Sequence, residues 1–381
     1  MIEVDVLVVG AGIAGASVAW RLARAGRRVL LLEREPQPGY HSTGRSAAMF
    51  MESYGPPQVR ALTRASRAFY LDPPAQFCDA PLLHPRAALF VAAPEQAAAL
   101  DVLYRELQPD NPQLRRLSAD QALALVPVLR PERVMGGLLD DSGFDIDAHA
   151  LLQGFLRGAR AAGTVLRTDD QPVMAEYDGQ SWRVGLASGA VVRAPTVVNA
   201  AGAWADELAA RFGAAPVGLS PRRRSAFTFA PPPGVDIAAW PLVVDVDERW
   251  YFKPDAGQLL GSPANADPVP PHDVAPEELD IATGIHRIEE ASTLQIRRPS
   301  ATWAGLRSFV TDGEPVIGFD ADCPGFFWLA AQGGYGIQSA AGASAVASAL
   351  VQGLNLPDDL VRQGVDAAAV SPRRLRGAPA G

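Results

Sequence analysis

Residues 1–34 read MIEVDVLVVGAGIAGASVAWRLARAGRRVLLLER, and this stretch decides the fold of the chain. The apolar residues 4–9 predict a strand, and the glycine-rich residues 10–15 lead into a helical segment, 16–25. A second apolar run follows and ends at Glu33, about twenty residues after the glycines. This order of strand, turn, helix and strand with a terminal acid predicts a unit that binds a dinucleotide.

The glycines and the acid of this unit have separate expected functions. Gly10 permits the tight turn, Gly12 lets backbone N–H groups approach a pyrophosphate, and Gly15 lets the helix pack closely on the strand. The phosphates are expected at the positive end of the helix. Glu33 can accept a hydrogen bond from a ribose 2′-hydroxyl and would repel a 2′-phosphate. A lone glycine motif occurs by chance in glycine-rich chains. Here the strands, the helix and the terminal Glu33 all support the same dinucleotide-binding interpretation.

Composition limits the classes of function. The chain has 381 residues, which suits one large or two interleaved domains, and its net charge of −8 argues against a nucleic-acid partner. Cys78 and Cys323 form neither a disulfide framework nor a metal-binding spacing, so no metal is expected. The N-terminus lacks the positive charge of a signal peptide, and no run of about eighteen apolar residues could span a membrane. These features lead us to expect a soluble, cytoplasmic protein.

The rest of the chain alternates between this unit and two insertions. The small and hydroxyl residues of 41–48 favour a second contact with a pyrophosphate and a flat ring, although a polar surface loop is the alternative. Strands and helices in 58–130 predict a first α+β insertion, and about 205–300 form a second. In the first insertion, Ser118 and Gln121 predict a capping box at the start of a helix. In the second insertion a strand is predicted at 226–229, after Arg222, Arg223 and Arg224. These three arginines predict either a solvated face or one arginine directed into a cleft.

Several short motifs resemble a known family of flavoproteins. NAAGAW at 199–204, GLR at 305–307, DGEPVIG at 312–318 and GGYG at 333–336 resemble D-amino acid oxidases, glycine oxidases and sarcosine oxidases, as does the N-terminal unit. GYHSTGRSAA at 39–48 and AQGGYGIQ at 331–338 are similar to the D-arginine dehydrogenase subgroup. The likeness covers nearly the whole chain.

The resemblance implies an α/β fold in which a Rossmann-like FAD-binding domain is interleaved with an α+β substrate-binding domain. The FAD-binding domain would comprise 1–50, 143–204 and 301–375, and the substrate-binding domain 51–142 and 205–300; residues 376–381 would be a tail. Some relatives bind flavin covalently through a cysteine in the C-terminal half. Cys323 lies outside the corresponding motif, so noncovalent FAD is expected.

The resemblance also implies individual site residues. The expected FAD contacts are Gly10, Gly12, Ala14, Gly15, Glu33, Arg34, Ser42, Thr43, Gly44, Arg45, Ser46, Ala47, Ala48, Val173, Ala201, Gly202, Trp204, Gly333, Gly334, Tyr335, Gly336, Ile337 and Gln338. The expected catalytic residues are Met49, Tyr54, Arg224, Tyr251, Arg307 and Gly334, and the expected specificity residues are Met49, Met51 and Ala88. Arg307 would bind the substrate carboxylate, unless it is used in a structural ion pair with Asp312 or Glu314. Trp303 would help Tyr54 and Tyr251 to keep the pocket dry.

The implied reaction is the oxidative deamination of a D-amino acid. A hydride would pass from Cα to flavin N5, and hydrolysis of the imino acid would give a 2-oxo acid and ammonia. The alternatives are the oxidation of glycine or of a secondary amine such as sarcosine or proline, the oxidation of a 2-hydroxy acid, and flavin binding without turnover. Quinone and oxygen both remain open as the electron acceptor.

Two replacements separate this chain from the arginine-specific subgroup. Met49 stands where the subgroup has His, and Ala88 where it has the Glu that pairs with the substrate guanidinium. A guanidinium without a partner would be costly to bury, whereas an apolar side chain gains from burial. We therefore expect apolar or aromatic D-amino acids, such as D-Leu, D-Met or D-Phe, to be preferred over D-Arg and D-Lys. The alternative is that another acid, for example Glu52, pairs with the guanidinium.

Overall fold

The computed structural model describes residues 1–376, so most of the predicted tail lies outside the described residues. The helices are α1 (Ile13–Arg24), α2 (Pro57–Leu71), α3 (Ala97–Leu107), α4 (Ala119–Leu125), α5 (Ala148–Ala161), α6 (Ala205–Arg211), α7 (Glu278–Ala291), α8 (Gly336–Val351), α9 (Asp358–Arg362) and α10 (Ala367–Val370). The strands are β1 (Ile2–Glu3), β2 (Val6–Val9), β3 (Val29–Leu32), β4 (Met49–Phe50), β5 (Leu83–Pro85), β6 (Ala88–Ala92), β7 (Arg115–Ser118), β8 (Gly136–Asp140), β9 (Phe144–Ile146), β10 (Val165–Arg167), β11 (Pro172–Tyr177), β12 (Trp182–Leu186), β13 (Val191–Ala194), β14 (Thr196–Asn199), β15 (Ser220–Phe229), β16 (Leu242–Asp245), β17 (Tyr251–Asp255), β18 (Gln258–Ser262), β19 (Asp267–Pro268), β20 (Ala301–Phe309), β21 (Val316–Phe319) and β22 (Phe326–Ala330).

The first sheet is built around the N-terminal unit. Its six strands run in the order β10-β3-β2-β14-β22-β21, and all neighbours are parallel except β21 and β22. Every residue of β2 and β3 is buried, as expected for parallel strands that are covered on both faces. Val6 and Val8 pack into one hydrophobic core and Leu7 and Val9 into another, because successive side chains of a strand point to opposite faces.

The second sheet joins both insertions. Its nine strands include the path β19-β15-β18-β17-β16-β6-β8-β7, with β20 on the free side of β15. β16 of the second insertion pairs in parallel with β6 of the first, so the two insertions share one sheet. β20 pairs with β15 from Ser220–Phe309 to Thr228–Ala301. The expected domain boundaries place β20 in the FAD-binding part, whereas its hydrogen bonds lie in the nine-stranded sheet.

Two smaller sheets complete the molecule. β1, β13, β12 and β11 form a four-stranded sheet, and β4, β9 and β5 form a three-stranded one. The mixed α/β fold class predicted from the sequence is confirmed. Within residues 1–376, the structure contains no helix that combines the length and the apolar character needed to span a bilayer.

Local sequence signals were mostly accurate, with one instructive exception. The Ser118 hydroxyl accepts a hydrogen bond from Gln121 N (3.3 Å), and Gln121 Oε1 accepts one from Ser118 N (2.9 Å), which is the expected capping box of α4. β15, in contrast, begins at Ser220 and includes the three arginines, whereas the sequence predicted a strand only from Ala226. The arginines therefore alternate between the two faces of a strand rather than sharing one solvated face.

Candidate active site

Three adjoining cavities form one cleft at the carboxyl ends of the parallel strands. The residues that follow β2 and β14, Gly10 and Ala200, line its outer end, which is where open α/β sheets bind ligands. We name the three parts the outer, central and inner cavities. The outer and central cavities share Gly12, Ser42, Thr43, Ala200 and Gly202, and the central and inner cavities share Ser46, Ala47, Arg224, Tyr251, Arg307, Gly334 and Ile337.

Most of the expected site residues line this cleft. The outer cavity is lined by Gly10, Gly12, Glu33, Arg34, Ser42, Thr43, Ala201, Gly202 and Trp204. The central cavity is lined by Gly12, Ala14, Ser42, Thr43, Arg45, Ser46, Ala47, Gly202, Arg224, Tyr251, Arg307, Gly333, Gly334, Gly336 and Ile337. The inner cavity is lined by Ser46, Ala47, Ala48, Met49, Met51, Tyr54, Arg224, Tyr251, Arg307, Gly334, Ile337 and Gln338.

The outer cavity has the features expected of a dinucleotide site. Gly10 has a φ of +102°, and a Cβ atom there would lie 2.4 Å from Ala200 O, so this turn requires glycine. The carboxylate of Glu33 is fixed at the end of β3, because Oε2 accepts a hydrogen bond from Ala11 N (2.9 Å) and Oε1 accepts one from Glu35 N (3.1 Å). An acceptor held in this place suits a ribose hydroxyl.

A cation–π contact forms one wall of the outer cavity. The Arg34 guanidinium lies 3.7 Å from the ring centroid of Trp204, and the His41 ring lies 4.6 Å from the same indole. Glu35 Oε1 accepts a hydrogen bond from Arg34 Nε (3.0 Å) and lies 2.8 Å from His41 Nε2. Burial acts to raise the pKa of Glu35, but its hydrogen bonds with His41 and Arg34 lower it overall. The wall is therefore held by a charged network that local sequence patterns did not predict.

The central cavity is bordered by the start of α8. The loop Gly333–Tyr335 precedes this sixteen-residue helix, whose positive end faces the cleft because Gly336 and Ile337 line it. A Cβ atom at Gly334 would lie 2.8 Å from Arg307 Cζ. Glycine is thus needed for Arg307 to reach the boundary between the central and inner cavities.

The inner cavity contains two arginines and two tyrosines. Arg307 Nη1 donates to the Tyr54 hydroxyl (3.4 Å), and Arg224 Nε donates to the backbone oxygen of Asn265 (2.6 Å). Among the described residues, neither guanidinium forms a salt bridge with a carboxylate. Burial and the charge of Arg307 lower the pKa of Arg224, and burial raises the pKa of Tyr54. Two partly buried cations thus line the same cavity, and neither has a salt-bridge partner within residues 1–376.

The remaining walls of the inner cavity are mainly apolar. They comprise Ala47, Ala48, Met49, Met51, Phe90, Leu242, Val244, Ala264 and Ile337. Glu248 is the one carboxylate that lines this cavity, and it is an exposed residue of the turn between β16 and β17, with a φ of +52°. Sequence analysis missed Glu248 and Phe90. No motif marks Glu248, whose position depends on how β16 and β17 pack against the arginines.

Some expected site residues lie elsewhere. Ala88 is fully buried in β6 but does not line the inner cavity; Phe90, two residues further along the same face of the strand, does. The Val173 side chain is 54% exposed, and the preceding Asp170, Gln171 and Pro172 line the outer cavity instead. The indole of Trp303 donates to Arg45 O (3.1 Å) and does not line the inner cavity.

Gly15, Gly44 and Tyr335 do not line the cleft but support it, and Gln338 lines the inner cavity while its amide is used within the protein. Gly15 and Gly44 pack against the backbone, since Cβ atoms there would lie 1.8 Å from Gly10 O and 2.6 Å from Gly39 O. Tyr335 packs edge-on against Tyr54, with 5.0 Å between ring centroids. The Gln338 amide is engaged by the protein itself: Nε2 donates to Tyr54 O (3.2 Å) and Thr63 Oγ1 (3.0 Å), and Oε1 accepts from Met51 N (3.3 Å).

The carboxylates that could have paired with Arg307 or with a substrate guanidinium have other partners. Asp312 pairs with Arg374 (2.7 Å), and Glu314 accepts from Gln58 N (3.0 Å), so neither forms an ion pair with Arg307. Glu52 pairs with Arg67 (3.1 Å) and lies outside the inner cavity.

The three arginines of β15 have different partners. Arg223 pairs with Asp280 (2.8 Å), Arg222 lies over the Phe309 ring (5.4 Å), and Arg224 faces the cleft. Of the two interpretations of this run, the one with a single arginine directed into the cleft therefore agrees with the structure better than the one with a solvated face.

Comparison with known proteins places this cleft in a family. Residues 5–350 match the family model described as DAO, FAD dependent oxidoreductase. The chain belongs to this family. Its solved relatives include glycine oxidase from Geobacillus kaustophilus, with a TM-score of 0.83 and 22% identity over 97% of this chain and 98% of that one. FAD is therefore the cofactor of this oxidoreductase, and the glycine turn, Glu33 and the small residues of the outer and central cavities suit it.

Curated relatives of this oxidoreductase match over shorter segments. The tRNA 5-methylaminomethyl-2-thiouridine biosynthesis bifunctional protein MnmC of Chromohalobacter salexigens is 31% identical over 51% of this chain and 28% of its own length. Human peroxisomal sarcosine oxidase is 27% identical over 54% of this chain and 52% of its own length. The matched segments thus span about a quarter to a half of these relatives. The likeness to the D-arginine dehydrogenase subgroup stays a prediction.

Proposed function

We propose that this oxidoreductase removes two electrons and two protons from the Cα–N bond of a D-amino acid, giving an imino acid that water converts to a 2-oxo acid and ammonia. The observation that carries this proposal is the pair Arg224 and Arg307, which both line the inner cavity and form no salt bridge within the described residues. A guanidinium binds a carboxylate through two parallel hydrogen bonds. A substrate carboxylate would supply the missing negative charge and relieve the repulsion between the two cations.

Each group of residues would have a distinct part in the reaction. Arg307, Arg224 and Tyr54 would bind the carboxylate, with the Tyr54 phenol kept protonated because burial raises its pKa. FAD, when bound, supplies the acceptor for the hydride that leaves Cα. Met49 and the other apolar walls would exclude water from the reacting carbon. The positive end of α8 would stabilise negative charge in the central cavity.

The same geometry supports an assignment of the two main sheets. We propose that the six-stranded sheet and its helices hold FAD, since the outer cavity lies at its strand ends. The nine-stranded sheet would hold the substrate, because β6, β15, β16, β17 and β20 supply both arginines, Tyr251 and part of the apolar wall of the inner cavity. This assignment transfers β20 from the first part to the second.

Specificity for apolar or aromatic D-amino acids is the finer part of the proposal. Phe90, Leu242 and Val244 offer an apolar surface to a substrate side chain, which would gain about 25 cal/mol per Å² buried. A guanidinium or ammonium placed against these residues would lose its hydration without gaining a partner. Glu248 is exposed at the edge of the inner cavity, where water screens its charge. We therefore expect D-Leu, D-Met and D-Phe to be better substrates than D-Arg and D-Lys.

Glycine, or a secondary amine such as sarcosine, is the second candidate substrate. Its support is that the relatives include proteins named glycine oxidase and sarcosine oxidase. Glycine and sarcosine carry the same carboxylate and would use the same arginines, but they have no side chain to contact the apolar walls. A 2-hydroxy acid would likewise bring the carboxylate and lack the amine.

An anaerobic titration separates these functions. The purified holoprotein would be mixed with D-Leu, D-Phe, D-Arg, glycine, sarcosine, proline or a 2-hydroxy acid, and loss of the flavin absorbance would report reduction. The L-enantiomers of leucine and phenylalanine serve as matched controls. Fastest reduction by D-Leu or D-Phe is the expected result. Fastest reduction by sarcosine or glycine would establish the second candidate instead, and no reduction by any compound would indicate a flavin-binding protein without turnover.

A further inference from the structure

The loop that carries Tyr54 is held in place by two buried side chains. We name residues 51–56 the tyrosine loop; it connects β4 to α2. Gln338 of α8, which lines the inner cavity, holds the backbone of this loop at Met51 and Tyr54. Asp140 at the end of β8 is fully buried and contacts the side chain of Ser53, the residue before Tyr54.

Asp140 is a carboxylate that the proposed reaction does not use. Its Oδ2 atom accepts a hydrogen bond from the Ser53 hydroxyl at 2.6 Å. Its Oδ1 atom accepts from the Ser142 hydroxyl at 2.6 Å and from Ser142 N at 3.0 Å. Within residues 1–376 it has no salt-bridge partner, so three donors on two neighbouring loops compensate its charge. Hydrogen bonds to an ionised acceptor are about twice as strong as neutral ones.

The register of the nine-stranded sheet explains how Asp140 reaches the tyrosine loop. Asp140 lies opposite Ala88 on the antiparallel strand β6. Directly opposite residues of such a pair project to the same face. Ala88 packs in the same apolar cluster as Met51 and Tyr251, which line the inner cavity. Asp140 therefore projects toward the back of the tyrosine loop, and the small side chain of Ala88 leaves this face open.

We infer that Asp140, acting through Ser53, is a positioning residue that holds the Tyr54 hydroxyl against Arg307. The inference rests on the proposed function, in which Tyr54 and Arg307 bind the substrate carboxylate. Ser53 is adjacent to Tyr54 in the chain, and its hydroxyl forms one hydrogen bond, to Asp140. Loss of this bond leaves Gln338 to hold the loop through its backbone at Met51 and Tyr54, and the phenol then samples positions away from the 3.4 Å contact with Arg307.

Substitutions of two serines that donate to the same acceptor, Asp140, test this inference. Ser53→Ala and Ser142→Ala each remove a hydroxyl that donates to Asp140 at 2.6 Å, but only Ser53 belongs to the tyrosine loop. Benzoate is the probe, a carboxylate without an oxidisable carbon, and its Kd is measured by the change in flavin absorbance of the holoprotein. Ser53→Ala should raise the Kd for benzoate and the KM for the best substrate about tenfold, which corresponds to the loss of one charged hydrogen bond. Ser142→Ala should change both less than about twofold.

A double mutant shows whether Ser53 acts through Tyr54. Tyr54→Phe should weaken benzoate binding, and Ser53→Ala added to Tyr54→Phe should weaken it no further. The inference would be overturned if Ser53→Ala and Ser142→Ala had equal effects, or if the effects in the double mutant were additive. Asp140 would then have only a general structural role, and the proposed function would stand. Unchanged benzoate binding by Tyr54→Phe would instead contradict the carboxylate site itself. Should Ser53→Ala not give folded holoprotein, Ser53→Cys keeps the size with only a weak donor and serves the same comparison.

Discussion

The guanidinium of Arg307 lies directly against Gly334, where a Cβ atom would come within 2.8 Å of Arg307 Cζ. Arg307 belongs to β20 of the nine-stranded sheet, whereas Gly334 precedes α8 and follows the last strand of the parallel part of the six-stranded sheet. The contact therefore joins the two main sheets at the boundary between the central and inner cavities. It leads to the first prediction.

Gly334→Ala should displace Arg307 without straining the backbone, because Gly334 lacks a positive φ. A shift of about 1 Å in a binding group can lower a rate by on the order of 100-fold, so kcat/KM for the best substrate should fall strongly. Gly185→Ala is the matched control, since a Cβ atom there meets its nearest neighbour at an ordinary 3.5 Å. Steady-state kinetics that are equal for both variants would contradict the assigned contact.

Arg307→Lys should retain the charge and lose the bidentate geometry. We expect kcat/KM to fall, with a loss of transition-state stabilisation on the order of 2–4 kcal/mol. Arg222→Lys is a suitable control because Arg222 lies opposite Arg307 in the sheet but does not line the cleft. Near-normal kcat/KM of Arg307→Lys for every good substrate would remove Arg307 from the carboxylate site.

Phe90→Ala should enlarge the inner cavity at its apolar wall. The ratio of kcat/KM for D-Trp to that for D-Leu is expected to rise about tenfold, because a larger side chain then gains contact area that a smaller one cannot use. Val91→Ala provides the comparison, since Val91 points to the opposite face of β6 and packs in a different cluster. An unchanged ratio in Phe90→Ala would show that this wall does not contact the substrate.

Ala88→Glu should destabilise the protein rather than create a site for D-Arg. The new carboxylate would lie opposite the buried Asp140 without a cation, and like charges in this arrangement repel each other. Thermal unfolding should show a loss of about 2 kcal/mol or more, whereas the neutral Ala88→Ser should lose much less. A stable Ala88→Glu variant that oxidises D-Arg well would restore Ala88 as a specificity residue.

FAD should be released intact when the protein is denatured. Cys323 is buried, its Sγ atom donates to Phe212 O (3.4 Å), and neither it nor Cys78 lines the three cavities. Neither thiol is therefore placed to form a flavin bond. Purified protein should be yellow, and acid or heat should leave free FAD in the supernatant. Flavin that stays with the precipitated polypeptide would contradict noncovalent binding.

The parts of the fold that the sequence predicts are those that depend on neighbours in the chain. The N-terminal unit, with its turn at Gly10 and acid at Glu33, is such a case, since strand, helix and strand are consecutive. The parallel pairing of β16 with β6 has no local signal, because the strands belong to different insertions. The extension of β15 through the arginines was missed for a similar reason: its partner β20 lies about eighty residues further along.

The candidate site likewise contains residues that sequence motifs mark and residues that only the packing of distant segments brings in. Arg307 and Gly334 belong to motifs and were named from the sequence, and the structure brings them together. Phe90 and Glu248 line the inner cavity through the packing of β6 and the turn after β16, which no motif marks. Ala88 lies on the face of β6 that points toward the inner cavity, but Phe90, two residues further along, is the residue that lines it. Which residue of a strand reaches a cavity depends on the register of that strand with distant partners, and no local pattern in the sequence gives this register.

The order of strands in the six-stranded sheet also bears on the synthesis of the protein. β2, made early, lies next to β14, and β14 lies next to β22, which is complete only at Ala330. An emerging chain must therefore carry β2 unpaired on one edge while the first insertion is translated, and then β14 unpaired on one edge while the second is translated. Sheets assembled from such distant segments fold slowly, and their exposed edges invite aggregation. The cleft between the two sheets is created last, so a ribosome-bound fragment that ends before β22 should gain no protection from proteolysis when FAD is added.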